Sequence, residues 1–263
     1  MNRITSAFQS KPIFMPYFPV GYPNIPTSID VLEALAKNGA DLIEVGLSFS
    51  DPLADGPVIQ KATQTALEQG VTTKQVLAAV AELRQRGVTI PLILMGYYNP
   101  MLAYGLEKFV RDAIAAGADG FIIPDLPPEE SAEFAGVLHA TPLPDRPLPQ
   151  ITMLAPTTPD ERMEIVARNA QGFIYLVSIT GVTGARKDIT SGLSKLIERV
   201  RAHTDVPVCV GFGIGDPDQA AAVGQLADGV IVGSACVREI GASENPVETA
   251  RGFARKFKEA MRS

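Results

Sequence analysis

The sequence predicts an α/β chain folded as a (β/α)8 barrel, and three observations carry that expectation. Eight short apolar runs rich in β-branched residues are spread over the 263 residues. Each is too short for a helix and apolar on successive positions, as strands buried on both faces of a parallel sheet are. Amphipathic stretches lie between the runs, so the chain reads as repeated βα units. The glycine fingerprint of a doubly wound dinucleotide fold is absent after the first run, where Val20-Gly21-Tyr22-Pro23 holds a single glycine. Barrels of about 250 residues form single domains, so one domain over residues 1–263 is expected.

In chain order the predicted strands are Ile13–Phe18, Leu42–Val45, Leu92–Met95, Gly120–Ile123, Gln150–Leu154, Phe173–Val177, Val208–Val210 and Gly229–Val232. Between the first two, Ser28–Ala36 has apolar residues at helical spacing and is followed by Gly39, the pattern of a capped helix. Thr141–Pro149, with four prolines, links a helix to the fifth strand. It is expected as a stiff connector on the amino-terminal face of the barrel, where stability and not catalysis resides.

Composition excludes several classes of function. Lys and Arg number 23 against 29 Asp and Glu, for a formal charge of −6 without a basic cluster, which argues against nucleic acid and anionic membrane as partners. The amino terminus lacks the apolar stretch of a signal peptide, and no apolar run approaches the ~18 residues of a membrane span. A cytoplasmic protein is expected. Cys209 and Cys236 lie in apolar runs and read as small buried hydrophobes, with a disulfide between them left open. His139 and His203 both fall toward the face opposite the strand carboxyl ends, so no metal site is expected. No Lys lies within a predicted strand, which argues against Schiff-base chemistry.

Reacting groups in such a barrel come from strand carboxyl ends and the loops after them. Glu44 lies between Ile43 and Val45 in the second strand, where a carboxylate is costly unless it has a partner or a task. The following loop, Phe49-Ser50-Asp51-Pro52-Leu53-Ala54-Asp55-Gly56-Pro57, carries Asp51 and Asp55. Its proline and glycine suit a tight turn that aims Asp55 over the barrel mouth, although Asp before Pro or Gly is also an ordinary turn residue. Gly211-Phe212-Gly213-Ile214 and Gly233-Ser234 follow the seventh and eighth strands, where barrels hold phosphate with backbone N–H groups and a helix amino end. Ser178–Arg186, small, polar and glycine-hinged, suits a lid. These residues together point to carboxylate acid–base chemistry on a phosphorylated substrate.

The segment Ile43-Glu44-Val45-Gly46-Leu47-Ser48-Phe49-Ser50-Asp51-Pro52-Leu53-Ala54-Asp55-Gly56-Pro57 resembles the signature of the tryptophan synthase alpha-chain family. Met95–Pro100, Pro124–Pro127, Ala155–Pro159, Tyr175–Ser178, Gly181–Gly184 and Gly211–Ile214 agree with it in order and spacing. The resemblance implies a TIM barrel that cleaves indole-3-glycerol phosphate to indole and glyceraldehyde 3-phosphate, in an α2β2 complex with a beta chain that holds pyridoxal phosphate. The alpha chain itself would carry no cofactor. A stand-alone lyase is the alternative.

By the same resemblance Glu44 is the general acid and base and Asp55 the partner of the indole nitrogen. Phe18, Tyr97, Tyr175, Thr183 and Phe212 lie near the substrate. Gly184, Gly213, Gly233 and Ser234 contact the phosphate, and Asp51, Pro52, Asn99 and Pro127 face the beta chain. Pro19-Val20-Gly21-Tyr22-Pro23 departs from the Thr-Ala-Gly-Asp-Pro that many relatives read after the first strand.

Overall fold

The structure, a computed structural model, describes residues 2–141, 148–178, 186–211 and 213–262. Among these, eight parallel strands close into a barrel in chain order: β1 (Ile13–Pro19), β2 (Ile43–Gly46), β3 (Leu92–Met95), β4 (Gly120–Ile122), β5 (Gln150–Leu154), β6 (Ile174–Val177), β7 (Val208–Gly211) and β8 (Gly229–Val232), which pairs back with β1. Helix α1 (Arg3–Ala7) precedes β1 and α2 (Ile25–Lys37) leads to β2. Two helices fill each of the next two connections, α3 (Pro57–Glu68) with α4 (Thr73–Gln85), then α5 (Tyr98–Tyr104) with α6 (Leu106–Ala116). Then follow α7 (Ala132–Ala140), α8 (Asp160–Asn169), α9 (Arg186–Arg201), α10 (Pro217–Gly224), α11 (Ser234–Gly241) and α12 (Pro246–Ala260).

Every predicted strand is present, with ends that move by one residue. Leu42, Ile123 and Phe173 fall outside β2, β4 and β6, while Pro19, Gly46 and Gly211 extend β1, β2 and β7. The predicted helix Ser28–Ala36 is the middle of α2, which starts earlier because the Asn24 side chain accepts the Thr27 N–H and Pro26 suits the first turn. At α4 a full capping box forms, Thr72 and Gln75 each bonding the other's backbone N–H. Helix α6 ends on Gly117, whose φ of 91° is the left-handed conformation that glycine adopts without strain. His203 follows the end of α9. Cys209 and Cys236 are both buried free thiols.

Strand alternation sorts side chains into two layers. Ile13 and Met15 of β1 cluster with Ile93, Ile122, Ile151, Tyr175, Cys209 and Ile231, drawn from six further strands, and fill the barrel. Ile4 and Phe8 close its lower end, Phe8 against Phe173 with ring centroids 6.0 Å apart. Phe14 and Phe18, the alternate residues of β1, join the helix-facing core, where Phe14 stacks on Phe257 at 5.4 Å.

The same clasp recurs three times at the lower rim. Asp41, Asp119 and Asp228 each follow an alanine and lead into β2, β4 and β8. Each donates its backbone N–H to the carbonyl of one residue on the preceding strand, Phe14, Leu92 or Val208. Each carboxylate then accepts the N–H of that same residue, at 2.7, 3.0 and 2.9 Å. The charge is met by Lys258 at Asp41, by Arg84 and Arg3 at Asp119, and by Lys11 and Arg201 at Asp228. These clasps fix neighbouring strands in register at the end of the barrel remote from the reacting groups.

Candidate active site

A cavity of about 230 Å3 opens at the carboxyl ends of the strands. Tyr17, Glu44, Met95, Tyr175 and Ile231 of the strands line it, together with Asp55, Gly56 and Ile59 and with the segments after β7 and β8. A larger recess of about 650 Å3 lies over β5 between α7 and α8, and none of its described lining residues is a carboxylate. The acids therefore single out the smaller cavity.

Glu44 stands in β2 between Tyr17 of β1 and Ile93 of β3, so alternation turns it into the barrel. It is 1% exposed, and its Oε1 has no hydrogen-bond partner among the described residues. Burial among aliphatic and aromatic neighbours disfavours the anion and pushes its pKa up from an ordinary 4.5 to about 8. A neutral carboxylic acid thus faces the cavity at neutral pH.

Asp55 reaches the same cavity from the loop after β2. The Asp55 N–H donates to Pro52 O at 3.0 Å and the Gln60 side chain donates to Asp55 O at 2.8 Å. Tyr97, after β3, anchors the loop: its O–H donates to Asp55 Oδ2 at 3.0 Å and its oxygen accepts the Ala54 N–H at 3.0 Å. Desolvation raises the Asp55 pKa, and the bond from Tyr97 works against that rise. Asp51 is placed differently, exposed and bonded to the Ser50 hydroxyl at 2.5 Å, as a turn residue.

Tyr17 and Tyr175 flank Glu44, each lying over a glycine on the next strand. A Cβ added at Gly46 would come within 2.4 Å of the Tyr17 oxygen, and one at Gly211 within 2.4 Å of the Tyr175 oxygen. Only glycine leaves room for these rings, and both hydroxyl ends are set beside the acids: Glu44 and Asp55 each raise both phenol pKa values, after the larger effect of burial.

Gly213, Ile214, Gly215, Gly233, Ser234, Ala235 and Arg238 complete the lining. Gly213 has φ 76°. Among the described residues helix α11 starts from Gly233 without a side-chain cap, which leaves the N–H groups of its first turn for a ligand at the cavity. A Cβ at Gly233 would meet only ordinary contacts of 3.6 Å or more. The space left there by the missing side chain belongs to the cavity.

Of the substrate-side expectations, Tyr175 lines the cavity and Tyr97 holds Asp55 at its edge. Phe18 does not reach it. It points out of the barrel, fully buried against Tyr22 at 6.2 Å, and Tyr17, one residue earlier, takes the inward position. Gly213, Gly233 and Ser234 come together as expected. Thr183, Gly184 and Phe212 lie outside the described residues, as do residues 179–185 of the expected lid and 142–147 of the proline-rich connector. Asp51, Pro52, Asn99 and Pro127 all follow the carboxyl ends of β2, β3 or β4, on the face that bears the cavity. Tyr17, Met95 and Arg238 were not singled out in the sequence. Tyr17 could have been found from Glu44, because neighbouring strand residues share the inward direction. Arg238 stands four residues after Ser234, one helical turn away.

The family model for the tryptophan synthase alpha chain matches residues 5–262. The chain belongs to this family. The tryptophan synthase alpha chain of Chloroflexus aggregans is 50% identical over 242 residues, covering 90% of this chain and 89% of that one. That of Roseiflexus castenholzii is 49% identical over 245 residues, covering 91% and 92%. Among solved structures, tryptophan synthase subunit alpha from Legionella pneumophila superposes with a TM-score of 0.89 at 35% identity, covering 100% of this chain and 99% of that one. Membership in the tryptophan synthase alpha-chain family makes the protein an enzyme of tryptophan synthesis in the alpha-subunit role, with a beta chain as its partner. No helix among the described residues is long and apolar enough to cross a membrane.

Proposed function

We propose that the chain is a carbon–carbon lyase that cleaves indole-3-glycerol phosphate to indole and D-glyceraldehyde 3-phosphate, and that the indole passes to the beta chain for condensation with L-serine to L-tryptophan. One observation carries the proposal: Glu44, its pKa raised by burial, and the tyrosine-held Asp55 share one cavity with the uncapped start of α11. A molecule with an indole at one end and a phosphate at the other matches that polarity.

The cleavage is a retro-aldol step. Glu44, as the acid, gives its proton to C3 of the indole, which places positive charge on the ring nitrogen. The Asp55 carboxylate, facing that N–H, stabilises the charge as it develops. Glu44, now a carboxylate, takes the proton of the side-chain hydroxyl as the carbon–carbon bond breaks. The bonding electrons return to the ring, giving indole and the aldehyde, and Glu44 ends protonated as it began. Tyr17 and Tyr175 wall off water beside Glu44, and Tyr97 keeps Asp55 aimed and favours its anion. The N–H groups of α11 and Gly213, with the Ser234 hydroxyl, hold the phosphate.

No cofactor enters these steps, and pyridoxal phosphate belongs to the beta chain. An α2β2 assembly in the cytoplasm, docked through Asp51, Pro52, Asn99 and Pro127, completes the proposal. Incubating the purified chain with indole-3-glycerol phosphate should release indole and glyceraldehyde 3-phosphate in equal amounts. Absence of indole both with and without a beta chain would overturn it.

A further inference from the structure

We infer that Arg238 is the cation that meets the substrate's phosphate and sets the preference for a phosphorylated over a neutral side chain. The inference rests on the proposed phosphate end of the cavity and deepens it. Arg238 is the basic side chain among the described residues that line the cavity. It lies on α11 one turn beyond Ser234 and lines the same cavity, and helix side chains lean toward the amino end, which puts the first turn of the helix within its reach. No other described residue forms an ion pair with it. An arginine near a helix carboxyl end ordinarily serves the helix dipole. Here the side chain instead borders the cavity.

Electrostatics gives that placement its significance. The chain carries a formal charge of −6, and the Asp55 side chain lines the same small cavity. A phosphate dianion entering such a field is repelled unless positive charge is local. Partial charges at one helix end supply part of it, and a guanidinium supplies a full charge with paired donors that match phosphate oxygens. Arg238 is exposed at the rim, free to close on the phosphate after it enters.

Calorimetric titration of the purified chain with glycerol 3-phosphate, beside steady-state indole release, tests the inference on wild type, Arg238→Gln, Arg238→Lys and Gly233→Asp. For Arg238→Gln, the glycerol 3-phosphate Kd and the substrate KM should rise roughly five- to thirtyfold, with kcat within about twofold of wild type. Affinity should also depend less on salt in this variant than in wild type. Arg238→Lys, which keeps the charge but not the paired donors, should fall between. Gly233→Asp should abolish binding. Wild-type affinity in Arg238→Gln alongside lost binding in Gly233→Asp would overturn the role of Arg238 and leave the phosphate end standing. Retained affinity in Gly233→Asp would overturn both.

Discussion

At the scale of single residues, burial raises the pKa of both carboxyl groups, and only Asp55 has a donor that opposes the rise. Glu44 is fully enclosed and its Oε1 has no donor among the described residues, so its neutral form persists up to about pH 8. Asp55 keeps a phenolic donor in Tyr97, which favours its anion. Tyr97→Phe removes that donor and so raises the Asp55 pKa. The acid limb of the kcat/KM profile should move to higher pH in this variant, while the alkaline limb, set by Glu44 near about 8, should stay. The folded state of Glu44 titrates near 8 and the unfolded state near 4.5, so between these values the folded chain holds a proton that the unfolded chain has released. Stability therefore falls as pH rises through that window and levels off above it. Glu44→Gln has no such titration. Thermal melts should show the variant gaining on wild type from about pH 5 to about pH 8.5, and parallel curves would show that Glu44 ionises freely in the fold.

At the scale of elements, the strands were legible because a parallel sheet covered on both faces leaves unbroken apolar runs such as Leu92–Met95. That continuity also hid the direction of each side chain. Phe18 and Tyr17 are both aromatic and both buried, and only pairing with β2, which sets Tyr17 beside Glu44, decides which one enters the cavity. The acids and the glycine turns after β7 and β8 could be read from residue type alone. The anchoring of Asp55 by Tyr97, 42 residues away, could not. The lower-rim clasps left a trace in the sequence, Ala-Asp before β2, β4 and β8, that only the hydrogen bonds explain. Asp119 is the most enclosed of the three, with 0% exposure and with Arg84, Arg3 and the Leu92 N–H converging on it. Asp119→Ala takes the carboxylate from the half-buried Arg84 and leaves the buried Leu92 N–H without its side-chain acceptor, and should cost about 2–3 kcal/mol of unfolding free energy in urea titrations. A loss under about 1 kcal/mol would show the clasp to be decorative.

At the scale of the whole molecule, the residues proposed for docking lie on the face that bears the cavity. The loop that carries Asp55 also presents Leu53, 92% exposed, together with Asp51 and Pro52. An apolar side chain held out by a tight turn suits burial against the beta chain. A partner that clamps this loop tightens the aim of Asp55, so docking should raise turnover. The isolated chain should show weak indole release and clear activation by its cognate beta chain. Pro52→Gly, which loosens the loop, should reduce activation more than basal activity. Gel filtration beside the assay checks this, and absence of both complex and activation at micromolar concentrations would point to a stand-alone lyase.

Glu44 is proposed to move the protons of carbon–carbon cleavage within a cavity that binds phosphate independently of it. The most direct measurement is indole release by Glu44→Gln from indole-3-glycerol phosphate, with glycerol 3-phosphate affinity determined on the same sample. The amide keeps size and polarity but carries no proton to give, so turnover should fall by roughly 10²-fold or more while affinity stays at the wild-type value. Turnover near wild type in a variant that still binds glycerol 3-phosphate would contradict the account.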